Sequence, residues 1–197
     1  MLAAATFSSI RASKRSTDLA ERSLLAGLRP LLVPSREDDA PERVRFGDSK
    51  FVVVPGHGGV LEYDRDNLYM AIALRNGGAG IAVIHGWAVT VQAELSAVNE
   101  RPKPEEFRRQ LRDLYIPAGD TGFWQGAIRD RGDPDYEKLV DAARSRTRVM
   151  IDLLYGDTDG GQRTVTRFGV SSETEGEGSQ TEVLRVWNID GVDPRRE

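Results

Sequence analysis

The sequence predicts a mainly β protein: an antiparallel, immunoglobulin-like β-sandwich with an N-terminal helix and two short inserted helices. Three observations predict this class. After residue 50, apolar and polar residues alternate with the period of two that is typical of strands. Turn residues separate these runs, of which there are about seven or eight. No strand–helix–strand unit recurs, so a parallel α/β fold is not expected.

The composition is that of one soluble globular domain, alone or with an appendage. The 197 residues include 27 basic and 31 acidic side chains, a net charge of −4, and 39% are hydrophobic. The acidic balance argues against general nucleic-acid binding, which requires a basic surface. Because Cys is absent, disulfides, thiol nucleophiles and thiolate zinc sites are excluded, and the composition is compatible with a reducing compartment.

Five segments are predicted along the chain. A basic amphipathic helix is expected over residues 1–30 and a polar linker over 31–50. The β-sandwich domain is expected over 51–170, an acidic flexible linker over 171–180, and a terminal strand and tail over 181–197.

The N-terminal segment has its own charge. Residues 1–36 contain six basic and two acidic side chains, a net charge of +4. The largely apolar opening, residues 1–10, is shorter than the about 20 residues that a membrane-spanning helix needs. Its basic residues follow the apolar stretch instead of preceding it, unlike in a secretory signal.

Residues Ser13 to Leu28 favour a helix that ends at Arg29, because proline follows at position 30. Polar side chains interrupt its apolar side in the middle. We therefore expect two separate contacts: Leu24 to Leu28 docks on the body, and Phe7 to Ile10 reaches elsewhere. A frayed terminus is the alternative.

Strands are predicted from residue 51 onwards. Phe51 to Val54 is a β-branched run, and Leu68 to Leu74 places four large apolar residues on one face. Asn76-Gly77-Gly78 is expected to supply the positive φ angles of a tight connection. The next alternating strand, Ile81 to Val91, is interrupted at His85-Gly86 by a bulge or a change of sheet.

Two helices are predicted between later strands. One spans Pro104 to Tyr115, and the other follows an N-cap at Asp133. Further strands are expected at the ranges 121–128, 149–155 and 162–170. The last two form a hairpin, and 183–189 is a last strand or a detached tail.

The residues that could take part in catalysis or in metal or phosphate binding are better explained by structural roles. His57 lies in a glycine-rich turn without the sequence of a phosphate-binding loop, and His85 is expected to be either packed or associated with a bulge. The acidic run after Gly156 is read as a hairpin turn, since the Glu of a calcium loop is missing. The Arg-Gly-Asp sequence ending at Asp133 is read as a helix start. We therefore predict no catalytic residue, no metal and no cofactor.

The three Trp residues are expected to pack. Trp87 and Trp124 fall in predicted strands, where an inward ring belongs to the core. Trp187 is expected to dock the terminal strand on the body. A binding surface that includes one of these rings is the alternative.

Three segments carry a resemblance: SIRASKRSTDLAERSLLAGLRPLLVPS, LYMAIALRNGGAGIAVIHGW and IDLLYGDTDGGQRTVTRF. Together they are similar to a loose set of uncharacterised bacterial proteins that have an N-terminal membrane or juxtamembrane helix followed by a small β-sandwich. The resemblance covers most of the chain and implies no activity. This sequence departs from that set by lacking a full membrane helix, so we expect either a start inside the ancestral gene or a soluble variant.

The function expected from these observations is that of a non-enzymatic interaction module. Its N-terminal helix attaches it to a membrane surface or to a partner protein, which includes a second copy of the chain. The expected contact residues are Phe7, Ile10, Arg11, Lys14 and Arg15. The protein is expected in the cytoplasm, and the membrane version places it at the inner face of the plasma membrane. The alternatives are a structural subunit of a larger assembly, and a small-ligand binder or enzyme that uses the sandwich loops.

Overall fold

The computed structural model describes residues 13–17, 19–21, 23–24, 27–91, 96–171, 180–191, 193 and 195. Strands dominate the described residues; the described N-terminal residues up to Gly27 are helical, and a later α-helix and two short 3-10 turns complete the helical content. The strands are β1 (Leu32–Pro34), β2 (Glu42–Arg45), β3 (Phe51–Val54), β4 (Gly59–Asp64), β5 (Asn67–Asn76), β6 (Ala82–Val91), β7 (Arg108–Ile116), β8 (Thr121–Ile128), β9 (Val149–Gly156), β10 (Thr164–Ser171) and β11 (Gln180–Asn188). The helix, α1, is Tyr136–Ser145, and the 3-10 turns are Ser96–Asn99 and Pro104–Glu106.

The strands form two larger sheets and a hairpin, all antiparallel. In sheet I, β5 pairs with β8 on one side and with β4 and β1 on the other. Sheet II has the order β11-β10-β9-β6-β7. The β2–β3 hairpin stands apart as a pair. The mainly β, antiparallel class is therefore confirmed.

The main core lies between sheet I, sheet II and α1. From β5 it receives the four alternating apolar residues that the sequence predicts, all fully buried: Leu68, Met70, Ile72 and Leu74. The opposite face of β5, with small Ala71 and Ala73, is covered by a second cluster from the β2–β3 hairpin. Strand β5 is thus buried on both faces, which explains its near-continuous apolar sequence.

One helix is confirmed and the other is wrong over most of its length. Helix α1 begins at Tyr136 and buries its apolar side, although its N-cap is Asp135 and not Asp133. The predicted helix from Pro104 to Tyr115 is helical only in its first turn, Pro104–Glu106. Strand β7 follows because its residues pair with β6, a partner distant in sequence, and this pairing outweighs the local helical spacing.

The connection after β5 also differs from the prediction. It links sheet I to sheet II, and neither Gly77 nor Gly78 has a positive φ. In the next strand His85 is the extra residue of a bulge, which is one of the two alternatives that the sequence leaves open. The bulge reverses which residues face inward, so Ile81 is exposed while Trp87 and Val89 are buried.

The two segments expected as linkers differ in outcome. Residues 31–50 contain β1 and β2, so this segment belongs to the folded body. Most of the acidic segment 171–180 lies outside the described residues. The terminal segment pairs with β10 as strand β11, and Trp187 is 2% exposed, which confirms that it docks on the body.

Candidate functional site: the N-terminal helix and the groove between β7 and β8

The described residues of the N-terminal segment are helical up to Gly27, which agrees with a helix that ends before Pro30. Lys14 and Arg15 are both exposed on it, whereas Phe7, Ile10 and Arg11 lie outside the described residues. The expected docking of Leu24 is wrong, because this side chain is 63% exposed; Leu19 is 66% exposed. The described part of this helix therefore presents apolar and basic side chains to solvent.

The chain after this helix is fastened to the body through its backbone. Fully buried Asn76 is the centre of the attachment: its Oδ1 accepts hydrogen bonds from Leu31 N at 3.1 Å and Gly78 N at 3.0 Å. Its Nδ2 donates to Gly80 O at 2.6 Å and to Ile116 O at 3.0 Å. A buried amide that satisfies four backbone groups holds the connection in one geometry.

Glycines at positions 78 and 80 allow the backbone that follows the N-terminal helix to pack closely against the segment that follows β5. A Cβ at Gly78 would overlap the carbonyl oxygen of Arg29, and one at Gly80 would overlap that of Leu28. The sequence drew attention to the Asn-Gly-Gly run for its turn geometry. The structure shows that these glycines allow two backbone segments to approach.

A groove of about 780 Å³ separates β7 from β8. Its walls are residues 108–112 of β7 and 125–130 of β8 and the following loop, and residues 46–48 close one end. The groove exists because consecutive strands β7 and β8 belong to different sheets, each pairing with another strand on its far side.

Two indole rings lie under the groove. Trp87 and Trp124 meet edge to face with ring centroids 5.5 Å apart. Gly126 is required beside them, since a Cβ there would come within 2.6 Å of the Trp124 ring. Both rings are almost fully buried, as the sequence predicts.

Arg108 joins the groove to the start of α1. Its guanidinium stacks on Trp87 at 5.1 Å, and its Nη2 lies 2.8 Å from Asp133 Oδ1 and 2.7 Å from Asp135 Oδ2. Asp133 Oδ1 also accepts the backbone N–H of Asp135. The Asp of the Arg-Gly-Asp sequence is therefore a structural residue, as expected.

Strand β7 leaves its ladder beside the groove. Leu114 pairs with Ile84 and Arg109 with Gly86, so Gln110 to Asp113 face a single residue of β6. Leu111 lies in this excursion and is 96% exposed. The excursion turns the Gln110 side chain towards β8, where its Oε1 accepts from Trp124 Nε1 at 3.3 Å.

A second cavity, of about 440 Å³, lies on the outer face of sheet II. It is lined by β6, by the segment around Glu106 and by the Asp152–Arg167 ion pair. Burial raises the pKa of the Asp152 carboxyl, against the lowering effect of Arg167. This pair also binds the overlying segment, because Arg167 Nη1 donates to Val98 O at 3.1 Å.

The histidines and the acidic turn lie where the sequence places them. His57 has a positive φ in the turn before β4, and its N–H donates to Ser35 Oγ at 3.0 Å. Asp157 Oδ1 accepts from Asp159 N and Gly161 N, which closes the β9–β10 hairpin turn. Within the described residues, no group of three or more His, Asp or Glu side chains is arranged to hold a metal ion.

Comparisons with family models, with curated proteins and with solved structures give no match. Within the part of the chain that the structure describes, no helix has the length and apolarity needed to span a membrane. The groove was not predicted from the sequence. The only local sign of it is the Arg-Arg-Gln-Leu-Arg run of β7, in which an apolar residue stands among bases.

Proposed function

We propose that this protein is a non-enzymatic interaction module that its N-terminal helix attaches to an anionic membrane surface. The observation that carries the proposal is the exposure of Leu19 and Leu24 on a helix that also exposes Lys14 and Arg15. Leucine side chains exposed to this degree leave apolar surface in contact with water. Insertion into a lipid surface would bury that apolar surface.

Charge supports a lipid surface over a neutral partner. Residues 1–36 have a net charge of +4 in a chain whose total is −4. Each basic residue near an anionic surface contributes about 1 kcal/mol of attraction, so basic and apolar contacts together suffice for reversible attachment. The hydrogen bonds of Asn76 also support membrane attachment by the helix. They hold the backbone that follows the helix in one position on the body.

Flotation with vesicles of phosphatidylcholine, with and without phosphatidylserine, tests the proposal. The full chain should float only with the anionic vesicles. We expect Lys14→Glu/Arg15→Glu and Leu19→Gln/Leu24→Gln to remain in the soluble fraction. Arg109→Glu/Arg112→Glu matches the first variant in charge change and should float like the wild type.

Equal recovery of wild type and both helix variants in the soluble fraction would contradict membrane attachment. If the wild type instead forms a lipid-free complex that the leucine variant abolishes, the helix contacts a protein, and the subunit alternative replaces this proposal. The immunoglobulin-like character of the sandwich, the resemblance to bacterial juxtamembrane proteins and the cytoplasmic location stay predictions.

A further inference from the structure

We propose that the groove between β7 and β8 binds an extended, acidic peptide segment of a partner protein, which adds as a strand to the free edge of β8. This surface is separate from the N-terminal helix. The proposal rests on the backbone of β8, on a side chain that stands where a strand would lie, and on the charge of the rim.

The edge of β8 that faces the groove has no strand partner among the described residues, since β8 pairs only with β5. The carbonyl of Gln125 points into the groove, because Gln110 Nε2 reaches it from β7 at 3.5 Å. In a strand, residues two apart direct their backbone groups to the same side. The N–H and C=O of Ala127 therefore face the groove as well.

Gln110 occupies the place of a strand. Its amide donates to the Gln125 carbonyl as the N–H of an added strand would, but at a length where hydrogen bonds are weak. A ladder bond in its place keeps the Gln125 carbonyl paired, but it competes with Gln110, whose Oε1 also accepts from Trp124 Nε1 at 3.3 Å. Ladder bonds to an exposed edge are the known basis of peptide recognition by strand addition.

The groove has the size for such a segment. Its volume of about 780 Å³ lies within the range of about 300–1,000 Å³ typical of ligand sites. Residues 125–130 line its length, and a strand of about five residues extends about 17 Å. Addition of the segment would also pair the open edge of β8. Natural proteins usually protect such sheet edges from pairing with other chains.

The charge of the β7 wall favours an acidic segment. Of the carboxylates that also line the groove, Asp133 is paired with Arg108 and Asp48 with Arg129, and Asp130 lies on the opposite wall. Arg109 and Arg112 are exposed on β7, and neither has a carboxylate within ion-pair distance among the described residues. Arg108, in contrast, is already compensated by Asp133 and Asp135. Two uncompensated guanidinium groups on one wall favour carboxylate side chains on the occupant, through bidentate hydrogen bonds.

Leu111 adds an apolar contact between the two bases. It is 96% exposed, more than any other large hydrophobic residue of the described chain. An acidic segment that also presents an apolar side chain to the β7 wall can contact this leucine as well as the arginines.

Fluorescence anisotropy with labelled synthetic hexapeptides tests the proposal on the full chain. The probe alternates Glu and Val; one control replaces Glu by Lys, and another keeps Glu but methylates the backbone nitrogens on one edge. We expect the acidic peptide to bind and both controls to bind at least about tenfold more weakly.

Two variants test separately the contribution of the arginine charges and the contribution of the open β8 edge to peptide binding. Arg109→Glu/Arg112→Glu should weaken binding at least about tenfold, whereas Lys14→Glu/Arg15→Glu, with the same charge change, should bind like the wild type. Ala127→Pro removes one N–H from the open edge without touching the β5 ladder and should also weaken binding. Thermal unfolding establishes that each variant is folded, and the charge variant alone suffices if the proline variant is not.

The proposal is overturned if the wild type binds the acidic and basic peptides within about twofold of each other. It is also overturned if the groove charge variant binds like the wild type, or if backbone methylation has no effect. These outcomes do not depend on vesicle flotation, so this inference and the proposed function fail separately.

Discussion

Arg167 and Asp152 form a two-pronged ion pair, in which Nε and Nη2 of the arginine each lie 2.7 Å from a different carboxylate oxygen. The residues are register partners on β10 and β9, and both side chains are buried. Trp187 stacks 5.1 Å from the guanidinium. The pair therefore links three neighbouring strands of sheet II and, through Val98, the segment that covers them.

Asp152→Asn is expected to destabilise the fold strongly. The substitution leaves the Arg167 charge buried without a counter-ion, which costs about 3–5 kcal/mol in comparable pairs. Urea unfolding at neutral pH measures the loss. Asp190→Asn is the control: it removes a partner of the largely exposed Arg163 and should cost about 1 kcal/mol or less. Equal losses in the two variants would show that burial does not distinguish the pairs.

Gly78→Ala is expected to disturb the attachment of the N-terminal segment. The added methyl group would overlap the Arg29 carbonyl, and overpacking of this kind costs about 1–3 kcal/mol. Gly77→Ala is a matched control, because its nearest atom would lie 3.8 Å away. Thermal unfolding should separate the two variants, and indistinguishable melting temperatures would contradict the close approach.

Tyr69→Phe is expected to reduce stability in a pH-dependent way. The Tyr69 hydroxyl donates to Asp48 Oδ2 at 2.6 Å and is the largest cause of the lowered pKa of that carboxyl. A lowered pKa contributes stability above the ordinary value of about 3.9, and this contribution is lost as the pH falls below it. The cost of the substitution should thus be about 1 kcal/mol at pH 7 and smaller near pH 3.

Urea unfolding of both proteins at the two pH values checks this. Tyr115→Phe serves as the control, since that side chain is 67% exposed. It should change little at either pH. A cost of Tyr69→Phe that is the same at both pH values would exclude a contribution from the ionised carboxylate.

His85 is expected to make the fold sensitive to mild acid. Its Nε2 is buried without a hydrogen-bond partner, and burial lowers the pKa of the ring; Asp157 acts in the opposite direction and Arg163 in the same one. In the unfolded chain the histidine side chain has its ordinary pKa of about 6.5. It therefore takes up a proton more readily there than in the folded protein. Stability should fall as the pH drops below about 6.5.

Melting temperatures at pH 7.5 and pH 5 test this. His85→Gln should flatten the decline, whereas His57→Gln, which changes the other histidine of the chain, should keep it. A decline of the same size in all three proteins would assign it to other groups.

Several elements could be predicted because their signals are local. The alternation from Leu68 to Leu74, the presence of a helix after Asp133 and the turn at Asp157 each depend on one stretch of chain. The bulge at His85 was also visible as a break in the alternation.

The groove could not be predicted, because its two walls come from strands that diverge into different sheets. The helical spacing of residues 104–115 concealed β7, whose strand form depends on pairing with β6. Nothing local brings Gln110 to the backbone of Gln125. The one feature of the sequence that marks the groove is the basic run of β7. This run fits an exposed helix equally well.

Composition and local periodicity predict the mainly β class, the charge asymmetry between the N-terminal segment and the body, and the elements whose periodicity is complete within one strand or helix. Long-range pairing and packing are needed to see that residues 31–50 belong to the body, that Leu24 stays exposed, and which acid pairs with Arg167. The reason is that a strand gains its hydrogen bonds from partners elsewhere in the chain. Its neighbours, and the grooves between them, are set by pairing over long sequence distances and not by local propensity.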